Sequence, residues 1–222
     1  MTSSKSSPGR RFVTLPIFSL SIALGLLGCT AQAEEPLELE DTVEIAPLDD
    51  ASFVPASEAG PAQHVVEPVL PDVARENSPD GAKATITYFW EAVDYVRMTG
   101  DAQPAASVSH YLCDICTEFI FRWQQLYDAG AWAGLHGATE IEIVETQSYV
   151  EEDDQEAWTA VLFHVTEPAS DFYADGELIE EESIASTTLE GWWAELTYDE
   201  AEQRWKIEWL DQDDSLASST DD

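Results

Sequence analysis

The sequence predicts an α+β fold, with N-terminal helices packed on a curved antiparallel sheet of four strands. Two observations carry this reading. Apolar residues between Ser78 and Ala129 recur at three- and four-residue spacing, and beyond Gly137 the spacing shortens toward two. A third observation, a change of phase inside the first of the two-residue runs, predicts a strand that bends at a bulge. With 222 residues and 44% hydrophobic content, the chain can build one packed domain plus extensions.

The helices come first. Ser78 reads as an N-cap, Pro79 as the first helical residue and Asp80 as a favourable first-turn acid. Ala82, Ile86, Phe89, Val93 and Val96 line one face, while Tyr88, Trp90 and Tyr95 widen the apolar belt. Gly100 ends this helix. Asp101 caps a short second helix with Pro104 in its first turn. A third helix runs from about Cys113 to Ala129, with Cys116, Phe119, Ile120, Trp123 and Leu126 on its inner face, and Gly130 stops it. Trp132 is then expected in a glycine-flanked loop.

The strands follow. Thr139, Ile141 and Ile143 alternate with acids, and Val144, Thr146, Ser148 and Val150 take the opposite phase. After an acidic turn at Glu151 to Asp154, a second strand spans Ala157 to Thr166. Glu167 to Glu182 is an acidic insertion, expected as an exposed hairpin around the tight-turn pair Asp175-Gly176. Ser186 to Tyr198 and Arg204 to Leu210 are the third and fourth strands. Trp205, Ile207 and Trp209 share one face of the fourth, and Trp192 and Trp193 point to opposite faces of the third.

The flanks divide the rest into residues 1–28, 29–77 and 211–222 around a domain at 78–210. Lys5, Arg10 and Arg11 precede an uncharged run from Phe12 to Gly28, the layout of an export signal. Leu26-Leu27-Gly28-Cys29 resembles the lipobox of bacterial lipoproteins, although Leu27 is bulkier than the family's usual small residue. That resemblance implies cleavage before Cys29, a lipid such as palmitate on its thiol, and attachment to the outer face of the membrane. A plain cleaved signal or an uncleaved anchor is the alternative, and Arg10-Arg11 faintly resembles a twin-arginine signal. Residues 29–77 carry Pro36, Pro47, Pro55, Pro61, Pro68 and Pro71 among many acids, which predicts an extended acidic tether rather than a packed element. A coil of that length spans roughly 40 Å. Residues 211–222 read as a polar, acidic, disordered tail.

Nine basic residues face 45 acidic ones, a net charge of -36, and loss of the signal leaves the chain more acidic still. Such a surface repels phosphate backbones, so nucleic acid is not an expected partner. Solubility in a salty exterior is the first reading of this charge, and a basic or cationic ligand or protein partner is the alternative. More narrowly, the helix Ala84-Thr85-Ile86-Thr87-Tyr88-Phe89-Trp90, the turn Thr99-Gly100-Asp101 and the Cys-x-x-Cys helix resemble an uncharacterised family of actinobacterial lipoproteins. The order of elements resembles the nuclear-transport-factor-2-like, or cystatin-like, cone. That resemblance implies a curved sheet wrapped on helices, and brings no activity.

Candidate chemistry is sparse. Cys113 and Cys116 stand three apart at the start of a helix, within disulfide reach of each other. A structural disulfide is the first reading for an exported chain with three cysteines of which one is lipidated. A redox pair is the second; Asp114 between the sulfurs and the lack of a nearby cation oppose it. A zinc site with His110 is the third, lacking an evident fourth ligand. His164 alternates onto the face of Trp158, Ala160 and Leu162, where a cone-shaped fold would put Trp158 and His164 in a pocket with His164 as general base; a histidine on the outer surface of the sheet, or a satisfied core one, is the first reading. Asp171, Asp175, Gly176 and Glu182 fit positions of a calcium loop, but Tyr173 and Ile179 spoil two others. No cofactor is expected, and no nucleophile triad, phosphate loop or zinc-protease motif occurs. The sequence therefore points to a non-enzymatic binding or scaffolding module outside the membrane. The alternatives are a pocket enzyme using His164 and a thiol-redox lipoprotein using Cys113 and Cys116.

Overall fold

The computed structural model describes residues 52–149 and 157–213. The export signal 1–28, the lipidation site Cys29, the tether as far as residue 51, the acidic turn 151–154 and the tail from 214 lie outside the described residues. Within them the chain is α+β. Helices α1 (Pro79–Thr99), α2 (Gln103–Ala106) and α3 (Asp114–Asp128) precede seven strands. These are β1 (Ala131–Leu135), β2 (Glu140–Tyr149), β3 (Trp158–Glu167), β4 (Ser170–Ala174), β5 (Glu177–Leu178), β6 (Thr187–Asp199) and β7 (Arg204–Gln212).

The start of α1 follows from its residues. The Gly81 N–H donates to Ser78 Oγ at 3.1 Å, and Pro79 occupies a first-turn position whose missing N–H costs nothing. Gly100 ends the helix in the left-handed region, at φ 75°, where its N–H reaches the Val96 carbonyl. The stripe Ala82, Ile86, Phe89, Val93 and Val96 is buried, each residue at 2% exposure or less. Burying side chains such as Ile86 and Phe89 contributes about 1.5–3 kcal/mol apiece.

The main sheet is an antiparallel meander in the order β2-β3-β6-β7. Val161, Phe163 and Val165 of β3, Ala194 and Leu196 of β6, and Trp205, Ile207 and Leu210 of β7 face α1 in one core. Three register shifts bend it. The first falls at Val144 in β2, where the change of phase predicts it. The second sets His164 of β3 opposite both Glu190 and Gly191 of β6, with Gly191 at φ 73°. The third lies at Glu208, between the pairs Leu196–Ile207 and Glu195–Trp209. It reverses the phase of β7, so Trp209 does not share the face of Trp205 and Ile207; it is 48% exposed on the other side.

A second sheet, in the order β1-β4-β5, departs from the four-stranded expectation. The acidic insertion is not a free hairpin: β4 pairs along its length with β1, from Ala131–Ala174 to Leu135–Ser170. Trp132 is thus a strand residue. Its Nε1–H donates to the Ser57 carbonyl at 3.1 Å, and its ring stacks on Tyr173 at 6.0 Å.

That contact belongs to a further correction. The sequence extends the tether to residue 77, yet residues 52–77 make specific structure. Val54 and Gln63 pair as a bridge, and Asp72–Arg75 form a 3-10 turn. Leu70 and Ala74 are buried. Trp205 Nε1–H donates to the Glu76 carbonyl at 2.8 Å, and the Tyr198 hydroxyl to the Arg75 carbonyl at 2.6 Å. A Cβ on Gly81 would press on the Glu76 carbonyl and approach Trp205 Nε1 to 2.8 Å, so glycine there lets this segment cross the start of α1. Proline and acid content hide such a segment, because its order comes from partners more than 100 residues away in sequence. At the other end β7 runs to Gln212 rather than Leu210.

Candidate functional site

The residues singled out in the sequence do not converge. Cys113 and Cys116 form a disulfide, with Cα atoms 5.3 Å apart. Both are buried in the core, and Cys113 Sγ also caps α3 by accepting the Cys116 N–H at 3.3 Å. Joined sulfurs cannot act as zinc thiolates, and His110 turns instead to Glu208, with Nδ1 2.8 Å from its Oε2. His164 lies half-buried on the side of the sheet away from α1. Its Nδ1 accepts the N–H of Gly191 at 3.3 Å, so the ring holds the bulge that Gly191 creates. Trp158, on the same side, stacks on Tyr149 at 4.1 Å. The expected pocket of Trp158 and His164 is therefore corrected: they cover the back of the sheet and line none of the cavities below. Asp171 sits on β4 and pairs with His136 Nε2 at 2.9 Å, while Asp175 (φ 54°) and Gly176 (φ 79°) make the β4–β5 turn. Strands flank this segment, not helices, and among the described residues no three acids, histidines or cysteines stand where one metal could take them.

Two larger cavities open on the surface. One, of about 940 Å³, is lined by Ser109, His110, Tyr198, Asp199, Lys206 and Glu208 among others. Its polar groups are already engaged. Besides the His110–Glu208 pair, Lys206 Nζ lies 2.8 Å from both Glu202 Oε2 and the Ser107 carbonyl. The Asp199 carboxylate accepts the Glu202 and Ala201 N–H groups at 3.0 and 2.8 Å; the Glu202 N–H foremost holds it below the usual carboxylate range. A ligand here would have to displace bonds already made.

The second cavity, of about 510 Å³, lies between α1, α3 and the small sheet. Its apolar walls are Phe119, Trp123 and Leu126 of α3, with Phe172 and Ile184 opposite. At its foot is Arg97, 4% exposed. The guanidinium is loosely held. Nη1 lies 3.6 Å from Asp94 Oδ1 and 3.9 Å from Glu167 Oε1, and Nη2 donates to Ser170 Oγ at 3.4 Å. Charge-assisted bonds run about 2.7–2.9 Å. Nε–H is buried with no partner, and the guanidinium carbon stands 5.4 Å from the centre of the Trp123 ring. Asp94 cannot close on Arg97, because its carboxylate is taken by Thr139. It accepts the Thr139 N–H at 2.7 Å and its hydroxyl at 2.8 Å. Burial raises the Asp94 pKa, against the lowering effect of those bonds and of Arg97. Arg122, exposed on α3, lines the same cavity and has no acidic partner among the described residues. Glu167 and Asp171 line it from β3 and β4, and Glu182 from the 3-10 turn that follows β5.

Sequence reasoning missed this site, though a signal exists. Arg97 follows Val93 by four residues and so continues the buried stripe of α1. A cation on an apolar stripe, in a chain with nine basic residues, has to find acids inside the fold.

The comparisons with known proteins bear on family, not activity. A model described as "Family of unknown function (DUF6318)" matches residues 51–211. No curated protein matches the chain. One solved structure, the intermembrane space region of the chloroplast protein ARC6, is similar over 64% of this chain and 99% of that one. Identity is 12% and the TM-score 0.40.

Proposed function

We propose that this chain, which belongs to the DUF6318 family of unknown function, is an exported lipoprotein whose domain binds a small organic ligand without transforming it. The observation that carries the binding role is the cavity over Arg97: a buried guanidinium with an unpartnered donor and long contacts, beneath apolar walls. Such a combination of apolar lining and a few convergent polar groups is the usual make-up of a ligand pocket. The histidine and the thiols that the sequence offers for catalysis lie elsewhere. His164 supports the bulge at Gly191, and the sulfurs of Cys113 and Cys116 are buried, which opposes thiol exchange. We read the bent sheet with α1 across it as the nuclear-transport-factor-2-like cone, the cavity opening between helices and strands.

The location rests on Leu26-Leu27-Gly28-Cys29. We place the lipid on Cys29 and the domain at the outer membrane face of an actinobacterial cell. No helix among the described residues is long and apolar enough to cross a membrane. Residues 29–51 would form the stalk, and the domain would begin near residue 52. The partners are then the membrane, through the lipid, and a ligand that brings positive charge to an acidic surface.

The test uses the mature chain with Cys29→Ser, which needs no detergent, and the neutral fluorescent probe N-phenyl-1-naphthylamine. Its emission is expected to rise on binding and to lose that rise in Leu126→Arg, where a charged side chain fills the cavity. An equal rise in both proteins would put the probe elsewhere and overturn the reading.

A further inference from the structure

From the charges around this cavity we infer the ligand class: a zwitterion of the amino-acid or short-peptide kind, carrying an apolar side chain. The inference rests on the cavity being a binding site. Both signs line it, and they meet only where Glu167 approaches Arg97 to 3.9 Å. Arg97 and Arg122 come from the helices, Glu167 and Asp171 from β3 and β4, and Glu182 from the 3-10 turn that follows β5. The apolar surfaces of Phe119, Trp123, Leu126, Phe172 and Ile184 lie with them.

A simple anion suits this arrangement poorly. Asp94 and Glu167 already flank Arg97 at 3.6 and 3.9 Å, and Asp171 and Glu182 add charge that repels it. A simple cation is attracted by the acids but leaves the buried Nε–H of Arg97 unpartnered, at the cost of a buried donor. A ligand with both charges answers both signs. Its carboxylate accepts from Arg97 and from Arg122, the one arginine of the cavity with no acidic partner among the described residues. Its ammonium donates toward Glu167 and Glu182, beside Asp171, whose carboxylate already pairs with His136. The 510 Å³ volume falls within the range of sites that enclose small organic molecules. Trp123, already against the Arg97 guanidinium, is placed to cover the ligand's side chain.

Displacement of the bound naphthylamine probe tests this in the same mature chain with Cys29→Ser. L-Leucine and the dipeptide Leu-Leu represent the free amino acid and the peptide end. N-acetyl-leucine lacks the ammonium, and leucine amide lacks the carboxylate. At least one zwitterion is expected to displace the probe, with each singly charged analogue weaker by about tenfold or more, the scale of one lost charge-assisted bond. Which zwitterion displaces better tells the amino acid from the peptide. Arg122→Gln and Glu182→Gln, both exposed, should each weaken the zwitterion by about tenfold relative to the probe, whose affinity is measured for each variant by itself; Arg97→Gln adds the buried contact. If the probe binds but neither zwitterion displaces it, or the capped analogues compete equally well, the ligand class is wrong and the cavity reading stands. If the probe does not bind and no compound changes the melting temperature, both fall.

Discussion

Replacing Asp94 tests how the cavity's floor is built. Its carboxylate makes two short bonds to Thr139, at 2.7 and 2.8 Å, and is the nearer of the two acids facing Arg97. Asp94→Ala removes both bonds, strands the Thr139 N–H and leaves a guanidinium of 4% exposure facing Glu167 alone at 3.9 Å. Breaking one side of a buried ion pair typically costs about 3–5 kcal/mol. That is a large part of the roughly 5–15 kcal/mol that holds a domain together. Asp94→Asn keeps the acceptor for the Thr139 N–H and removes a charge that burial already disfavours, so a change of no more than about 1 kcal/mol is expected at neutral pH. The pH dependence separates the two effects. Burial raises the Asp94 pKa, so the folded state holds this proton more tightly than the unfolded chain. Wild-type stability relative to Asp94→Asn should therefore be greatest below the unfolded value of about 4. It should fall as pH rises through the folded value and be level above it, with a slope no steeper than about 1.4 kcal/mol per pH unit. Urea denaturation of both proteins from pH 3.5 to 8 measures this, and the difference cancels the repulsion of the other carboxylates. A cost below about 1 kcal/mol for Asp94→Ala, or a difference that grows with pH, would show that Asp94 does not hold the floor of the cavity.

Four further outcomes are expected. Gly100→Ala forces a side chain into φ 75° and toward the Tyr127 ring, 2.7 Å from its Cγ. Left-handed strain alone costs about 1–2 kcal/mol, read as a lower urea midpoint at unchanged slope. A chain begun at Ser78 lacks Leu70, Ala74 and the carbonyls that Tyr198 and Trp205 bond, and should be about 3–5 kcal/mol less stable than one begun at residue 52; equal stability would return residues 52–77 to the tether. Cys113→Ala with Cys116→Ala loses a four-residue closed loop and a cap, about 2–3 kcal/mol by denaturation, and in the native protein the disulfide should resist a reductant that opens it in urea. In cells, a clickable palmitate analogue should label the wild type and not Cys29→Ser, and the unlabelled variant should leave the detergent phase.

Much of this protein is local, and the sequence determined that part by itself. Ser78, Pro79 and Gly100 bound α1 because caps and left-handed glycines act within one turn. The bulge at Val144 follows from two phases of alternation in one strand, and the Cys113–Cys116 disulfide from helical spacing. What the tertiary structure decided depends on residues far apart in the chain. Gly191 makes the bulge that turns His164 from a candidate base into a support, and Glu208 makes the one that sends Trp209 outward. The small sheet forms because β1 meets β4 across the whole of β2 and β3, and residues 52–77 are ordered by Trp132, Tyr198 and Trp205. Arg97 shows the boundary most clearly. Its place on the stripe of α1 is written in the spacing from Val93, but the cavity above it exists only where α3 and β4 come to face that stripe. Periodicity specifies which way a side chain points from its own element, and packing alone specifies what it meets there.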